Sequence, residues 1–441
     1  MSHAELPVAV IGAGPTGLAA AAHLLDRGLD PLVFEAGEDV GASVLSWAHV
    51  RIFSPWEFNL DPVAVRLLED GGWQAPDRTA YPSGRELVED YLEPLAGLPA
   101  IASRLELETR VVRVTRAGVD KLKDAGRDDA PYELVVERDG RQRRVLARAV
   151  IDASGTWNTP NPLGAGGVPA AGEEAHADRI ASGIPDVLGA ARSRYSGKRT
   201  VVVGSGHSAF NVILDLVALR QSAAATEVAW AIRGGAPGRK YGGGGADQLP
   251  ARGALGDAVR GLVEDGAIEL HAGFSTREVR RGGDRIVLAD GDREIVADEV
   301  IAATGFRPDL GLLSELRLDL DDRVEAARRL APLIDPNVHS CGSVPPHGAE
   351  ELAHPDEGVF IVGMKSYGRA PTFLLRTGYE QVRSVVAAID GDWEAARRVD
   401  FVLPETGVCS RSAPVAAETQ APAACCGSGS PHADAPALAA G

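Results

Sequence analysis

Apolar positions along the chain fall into two alternating patterns. Val8–Ile11 is a continuous apolar run of strand length, and after it Leu18, Ala21, Ala22 and Leu25 recur at the i, i+3, i+4, i+7 spacing of one helix face. Gly28 ends that helix, and Pro31–Phe34 makes a second apolar run closing on Glu35. Strand, turn, helix and strand within about 30 residues predict a βαβ crossover unit. An aromatic-rich stretch follows (Trp47, Phe53, Trp56, Phe58), then a helix start capped by Ser83 with Glu86 three residues on. Strand-like segments cover 105–114, 132–137 and 144–151, and the charged, weakly patterned 121–130 reads as a hairpin loop.

The pattern then repeats. After residues 158–196, which hold Pro, Gly and Ala with little periodicity, Thr200–Val203 is a strand, Gly204–Ala209 a turn and Phe210–Leu219 a helix. The next strand, Glu227–Ile232, ends on Arg233. A Gly-rich segment (242–245) precedes a helix near 256–264, and a strand at Glu299–Ala302 leads into Ala303-Thr304-Gly305-Phe306-Arg307-Pro308. That ending echoes Ala153-Ser154-Gly155, so the same architecture occurs twice. A third segment has a strand at 359–362, then Gly363-Met364-Lys365 and a helix over 372–389. Beyond Leu403 the chain is rich in Ala, Pro, Ser and Gly and reads as a disordered tail.

Charge and composition narrow the partners. A net charge of −17 repels phosphate backbones, so nucleic acid is not expected as a partner. No apolar run approaches the roughly 18 residues of a membrane-spanning helix, and the strand at Pro7-Val8 starts too early for a secretory leader ahead of it. Four Cys (341, 409, 425 and 426) make no disulfide framework. The cytoplasm is the expected compartment.

Each Gly-rich turn has a mechanical reason. Gly12 and Gly204 permit the tight turn, and Gly14 and Gly206 leave room for a pyrophosphate beside backbone N–H groups at a helix start. Gly17 and Ala209 allow close packing of helix on strand. Glu35 stands 18 residues after Gly17, placed to grip ribose hydroxyls, against the plainer reading of a strand cap. In the second unit Arg233 takes that place and would pair with a 2′-phosphate, reinforced by Lys240, so NADPH is preferred to NADH there. Two dinucleotide sites pair naturally as one resident FAD and one exchanging NADPH.

The order Gly12-Ala13-Gly14-Pro15-Thr16-Gly17, Ala153-Ser154-Gly155-Thr156-Trp157-Asn158-Thr159-Pro160, Gly204-Ser205-Gly206-His207-Ser208-Ala209 and Ala303–Asp309 resembles the two-dinucleotide-domain flavoproteins over about residues 6–395. Within them it is most similar to the class B flavin-dependent monooxygenases, and Met364–Thr372 is similar to a bacterial branch found with arsenical-resistance genes. Two stretches depart from that family. Its Phe-x-Gly-x-x-x-His before the second turn is replaced by Arg194-Tyr195-Ser196-Gly197-Lys198-Arg199, and its Gly-Gly-x-Trp by Gly41-Ala42-Ser43-Val44 with Trp47 beyond. The resemblance therefore names no particular substrate.

The expected fold is α/β, with two Rossmann-like (βαβ) dinucleotide-binding domains of the three-layer β/β/α type. The NADPH domain (197–329) is inserted in the FAD domain (1–157 and 330–400), with a linker at 158–196 and a Cys-containing tail at 401–441. FAD contacts are expected from Gly12, Gly14, Pro15, Thr16, Gly17, Glu35, Ala36, Val44, Trp47, Val112, Ala153, Ser154, Gly155, Gly363, Met364, Lys365 and Thr372. NADPH contacts are expected from Gly204, Ser205, Gly206, His207, Ser208, Arg233, Thr304 and Gly305, although His207 also reads as a packing residue.

The activity expected is hydride transfer from NADPH to flavin, then transfer of one oxygen atom from O2 to a small soft nucleophile (sulfur, nitrogen or arsenic). Trp47, Phe53, Trp56 and Phe58 are either a dry wall for that chemistry or simply core. Asn59 and Arg51 are candidate hydrogen-bonding groups for the peroxide or the nicotinamide amide, and His347 a candidate proton donor. Met364 stands where the family has an Asp, and Lys365 is either a stabiliser of reduced anionic flavin or a solvated lysine. The helix from Thr372 would aim its positive end at the flavin. His339, Cys341, His347, His354, Glu350 and Glu351 match no common ligand spacing, and no metal is expected. Rival readings are a flavin reductase passing electrons to a disulfide or metalloid through the tail cysteines, and a non-catalytic redox-sensing or metalloid-binding flavoprotein. Partners are a small-molecule substrate and O2, with a homodimer left open.

Overall fold

The computed structural model describes residues 5–235, 241–242, 244, 247, 249–338, 344–371 and 373–400, all within the unit Met1–Cys409. Two five-stranded parallel sheets organise them. The first runs Val359–Ile361, Ala149–Asp152, Val8–Ile11, Pro31–Phe34, Leu105–Glu106. The second runs Glu269–Ala272, Glu227–Ile232, Arg199–Val203, Glu299–Ala302, Ile180–Ser182. Val8–Ile11 and Arg199–Val203 hold the same central position, each followed by a helix (Pro15–Asp26 and His207–Leu219).

Alternation along these strands feeds two cores per sheet. Val8, Val10, Val33 and Ile151 face the helices, whereas Ala9, Ile11, Phe34 and Val150 face an antiparallel sheet of Arg110–Arg116, Tyr132–Arg138 and Arg141–Ala147. In the second unit Val202, Val228, Trp230 and Ile301 face the helices. Val201, Val203, Ala229 and Val300 face the antiparallel strands Glu278–Gly282, Arg285–Ala289 and Glu294–Ala297. This is the expected α/β class: two dinucleotide-binding units, each a helix layer, a parallel sheet and an antiparallel sheet. The Ser83–Glu86 capping box also forms as read.

Several boundaries differ from the sequence reading. The strand-like stretch 105–114 is two strands in two sheets, parted at Glu108, whose φ is 52°. The stretch 144–151 likewise divides at Arg148, leaving the antiparallel sheet for the parallel one. Both divisions lie inside continuous patterns, because the pattern reports burial and not which sheet buries the residue. Residues 158–196, read as a linker, supply the edge strand Ile180–Ser182, too short to show a period. The helix read near 256–264 starts at Pro250, and the one read from 372 starts at Leu375.

The charged loop 121–130 holds a buried residue. Arg127 forms a two-pronged pair with Asp356 at 2.9 and 2.6 Å, both side chains 1% exposed. Among the described residues no helix is long and apolar enough to cross a membrane. The tail beyond residue 400, with Cys409, Cys425 and Cys426, lies outside the described residues, as do Lys240, His339, Cys341 and Thr372.

Candidate functional site

The two Gly-rich turns are built alike. Gly12 has φ of 100°, and a Cβ there would lie 2.9 Å from the Ala153 carbonyl oxygen; Gly204 has φ of 137°, with Ala303 O at 2.1 Å. Each turn therefore backs directly onto the crossover segment of its own sheet, and no side chain fits. Gly14 and Gly206 face open space, with nothing within 4 Å of a would-be Cβ. A Cβ on Gly17 would meet Gly12 O at 1.9 Å, so helix and turn touch. These cradles suit a pyrophosphate: backbone N–H groups at a helix start with the nearest side chain removed.

Glu35 lies under the first turn, its carboxylate accepting from the Ala13 and Gly37 N–H groups at 2.8 Å each. Thr16 meets the closing segments, its Oγ1 within 3.0 Å of a Cβ on Gly363 and 2.9 Å of one on Gly378. Val44 is buried, and Ala36 is exposed beside Glu35. Val112 sits at a bulge of the antiparallel sheet and lines a 480 Å³ depression with Arg113, Val135, Gln142, Arg143 and Arg144.

Behind the crossover, Lys365 is fully buried, 2.7 Å from Asp152 Oδ2 and 3.0 Å from Ser154 Oγ. It is neither solvated nor at an open surface. Gln381 holds the neighbouring turn Gly363–Tyr367 by accepting from the Gly363 N–H and donating to Ser366 Oγ and His347 Nε2. His347 donates from Nδ1 to Pro345 O, and burial pushes its pKa down. Both ring nitrogens are thus committed to the protein.

The second turn carries His207, whose ring lies 5.1 Å from Phe53 and 6.1 Å from Phe210. Burial, with the Arg252 guanidinium adding to it, pushes His207 down to about 4. Arg252 is itself paired with Asp247 at 2.8 and 2.6 Å, both buried. Trp230, fully buried in the second sheet, donates to Gly204 O at 2.7 Å and fixes the turn. Ser205 and Ser208 flank His207 half-buried, and Arg233 is exposed, donating to Ala165 O at 3.0 Å.

The two cradles adjoin through aromatic and polar contacts. Trp47 lies 6.4 Å from Trp157, which stacks on Phe306 at 4.7 Å. Asn161 donates to the Thr304 and Phe306 carbonyls and accepts from Arg307 Nε. Asn161, Trp230 and Gln381 were not singled out from the sequence. Nothing local marks them, since their partners stand 15 to 146 residues away. The aromatic stretch divides: Trp56 is core, Trp47 and Phe53 stand at the junction, and Phe58 lies under Arg376. Asn59 is buried, its amide bonded to Ser54 and Pro55, while Arg51 is exposed and donates to Tyr81 O. Among the described residues no group of three or more His, Cys, Asp or Glu side chains is arranged to hold a metal ion.

Fold and cradles define an α/β flavoprotein architecture with two dinucleotide sites. The chain belongs to the pyridine nucleotide-disulphide oxidoreductase family, whose pattern matches residues 6–357. It is 30% identical over 209 residues to the indole-3-pyruvate monooxygenase YUCCA1 of Oryza sativa subsp. japonica, covering 47% of this chain and 44% of that protein. The chain thus spans less than half the length of that curated relative. Among solved structures, the bacillithiol disulfide reductase Bdr of Bacillus cereus superposes with a TM-score of 0.65 at 21% identity, covering 88% of this chain and 99% of that one. The FAD-bound cadaverine monooxygenase DfoA of Erwinia amylovora superposes with a TM-score of 0.61 at 14% identity, covering 90% and 98%.

Proposed function

We propose that this chain is an FAD-containing, NADPH-dependent monooxygenase that transfers one oxygen atom from O2 to a small soft nucleophile, a thioether, an amine or an organoarsenical. The observation that carries it is the junction between the cradles. Phe53 of the first unit lies against His207 of the second turn, and Trp47, Trp157 and Phe306 form an apolar ladder beside both crossovers. A dry wall between two dinucleotide sites suits oxygen chemistry, which must be kept from water.

FAD fits the first cradle, where Gly14 leaves space for its pyrophosphate and Glu35 stands at the ribose position. When bound there it supplies hydride acceptance and reaction with O2. NADPH fits the second, with Gly206 open to its pyrophosphate and the exposed Arg233 at the 2′-phosphate position. This chain's residues align the two and exclude water. Neutral His207 packs by its ring, and Asn161 holds the second crossover against the first.

Monooxygenase relatives support the reading, and so does cysteine placement: Cys341 is the sole cysteine ahead of residue 409, so no dithiol pair precedes the tail. The test is NADPH oxidation under labelled dioxygen with a panel of thioethers, amines and trivalent arsenicals. Substrate-stimulated turnover with label in the product is expected. NADPH consumption with no labelled product from any of them would remove the oxygenase reading.

The family match favours one alternative, a reductase passing electrons to a disulfide through Cys425 and Cys426. Truncation after residue 403 separates the two, because the monooxygenase reading expects unchanged turnover and the reductase reading expects its loss.

A further inference from the structure

Gln381 sits at the centre of a closed chain of hydrogen bonds behind the first cradle. Its Oε1 accepts from the Gly363 N–H at 2.8 Å, and its Nε2 donates to Ser366 Oγ at 2.9 Å and to His347 Nε2 at 2.8 Å. Ser366 Oγ passes its own proton to Gly363 O at 2.7 Å, and His347 Nδ1 lies 3.0 Å from Pro345 O. All three side chains are buried. The two ends of the chain are backbone groups that cannot change roles, since the Gly363 N–H only donates and Pro345 O only accepts. Polarity between them is therefore fixed, and His347 is held as the neutral Nδ1–H tautomer with a bare Nε2.

An imidazolium has no place in this arrangement. Its Nε2–H would face a Gln381 N–H, donor against donor. Turning the Gln381 amide over would point an N–H at the Gly363 N–H instead, and flipping the imidazolium ring only offers another N–H. Protonation of His347 must break the chain. Of the groups around the ring, Glu351 favours the cation and burial opposes it. Tyr367, with its ring 5.6 Å away, is itself kept protonated by burial, and the helix Leu375–Asp390 presents the uncharged Gln381. What the chain holds in place is the turn Gly363–Tyr367, and that turn meets the cradle. A Cβ on Gly363, whose φ is 70°, would lie 3.0 Å from Oγ1 of Thr16 in the first turn of the cradle helix.

We propose that His347 and Gln381 are positioning residues that seat the turn Gly363–Tyr367 against FAD only while His347 is neutral, so that protonation of His347 unlatches the turn and loosens the hold on the cofactor. This rests on the assignment of FAD to the first cradle. The latched form excludes the proton, so acid competes with latching and binding weakens as pH falls below about 6.5, the ordinary histidine value.

The experiment uses the full chain at pH 7.5 and pH 5. Apoprotein is titrated with FAD by flavin fluorescence, and the protection factor of the Gly363 amide against hydrogen exchange is measured on the apoprotein. The wild type is expected to bind FAD roughly tenfold more weakly at pH 5 and to lose Gly363 protection there. His347→Gln, whose side-chain carbonyl can accept from Gln381 but takes no proton, is expected to bind FAD equally at the two pH values. Gln381→Glu, whose carboxylate can accept from both the Gly363 N–H and an imidazolium, is expected to bind no more weakly at pH 5 than at pH 7.5. Wild-type Gly363 protection that is unchanged between the two pH values, or a wild-type affinity slope retained in His347→Gln, would overturn the proposal. The wild-type exchange measurement decides independently of how the variants fold. A wild-type protein that binds no FAD at pH 7.5 would overturn the cradle assignment instead, with the latch still read by Gly363 protection.

Discussion

Phe53 and His207 lie 154 residues apart in sequence, yet their ring centroids are 5.1 Å apart, so a loop of the first unit touches the Gly-rich turn of the second. Burial holds His207 neutral down to about pH 4. A neutral imidazole attracts no phosphate by charge. The KM for NADPH should therefore show no step attributable to His207 between pH 5.5 and 8. Steady-state profiles of wild type and His207→Asn should run parallel, and a wild-type step near pH 6.5 that the variant lacks would contradict this.

Gly12 and Gly14 should respond oppositely to substitution. Gly12 has left-handed φ and the Ala153 carbonyl against it, so Gly12→Ala should lower the Tm of the apoprotein. Gly14 is extended, with φ −81° and open space beyond, so Gly14→Val should fold with wild-type Tm and fail to retain FAD. Calorimetry and flavin content read the two effects separately.

Arg233→Glu should reverse the coenzyme preference. Arg233 is exposed and, among the described residues, donates to the Ala165 carbonyl, so its replacement should leave the fold intact. The kcat/KM for NADPH should fall at least about tenfold while that for NADH holds or rises, as expected when a carboxylate faces a 2′-phosphate.

Arg127 and Asp356 offer a stability test away from the cradles. Arg127→Ala leaves a buried carboxylate without its main partner and should cost about 3–5 kcal/mol in urea unfolding. Arg127→Met with Asp356→Leu should recover most of it, although Arg116, 3.6 Å from Asp356, loses a neighbour in the double variant.

His354 should make the fold acid-sensitive. Its Nδ1 accepts from the Asp319 N–H at 3.3 Å, and burial pushes its pKa down to about 4 from an ordinary 6.5. The unfolded chain then binds more protons than the native one between those values. Stability is full above about pH 6.5 and falls as pH drops towards 4, by roughly 2 kcal/mol between pH 7.5 and 5. His354→Gln should flatten that part of the urea-unfolding profile.

The sequence by itself determined the two βαβ units and the glycines of both turns. It also determined the carboxylate and the guanidinium that end their second strands. All of these follow from local rules: a period set by burial, a turn that only glycine can make, and a charge fixed at a strand end. Tertiary structure alone decided which sheet each half of 105–114 and 144–151 joins, and that Lys365 faces Asp152 instead of solvent. It alone brought Gln381 to Gly363, Trp230 to Gly204 and Phe53 to His207. A lysine, a glutamine or a tryptophan has no local pattern that announces a partner on another element. Burial and the need to satisfy every enclosed polar atom choose that partner only when the sheets have closed.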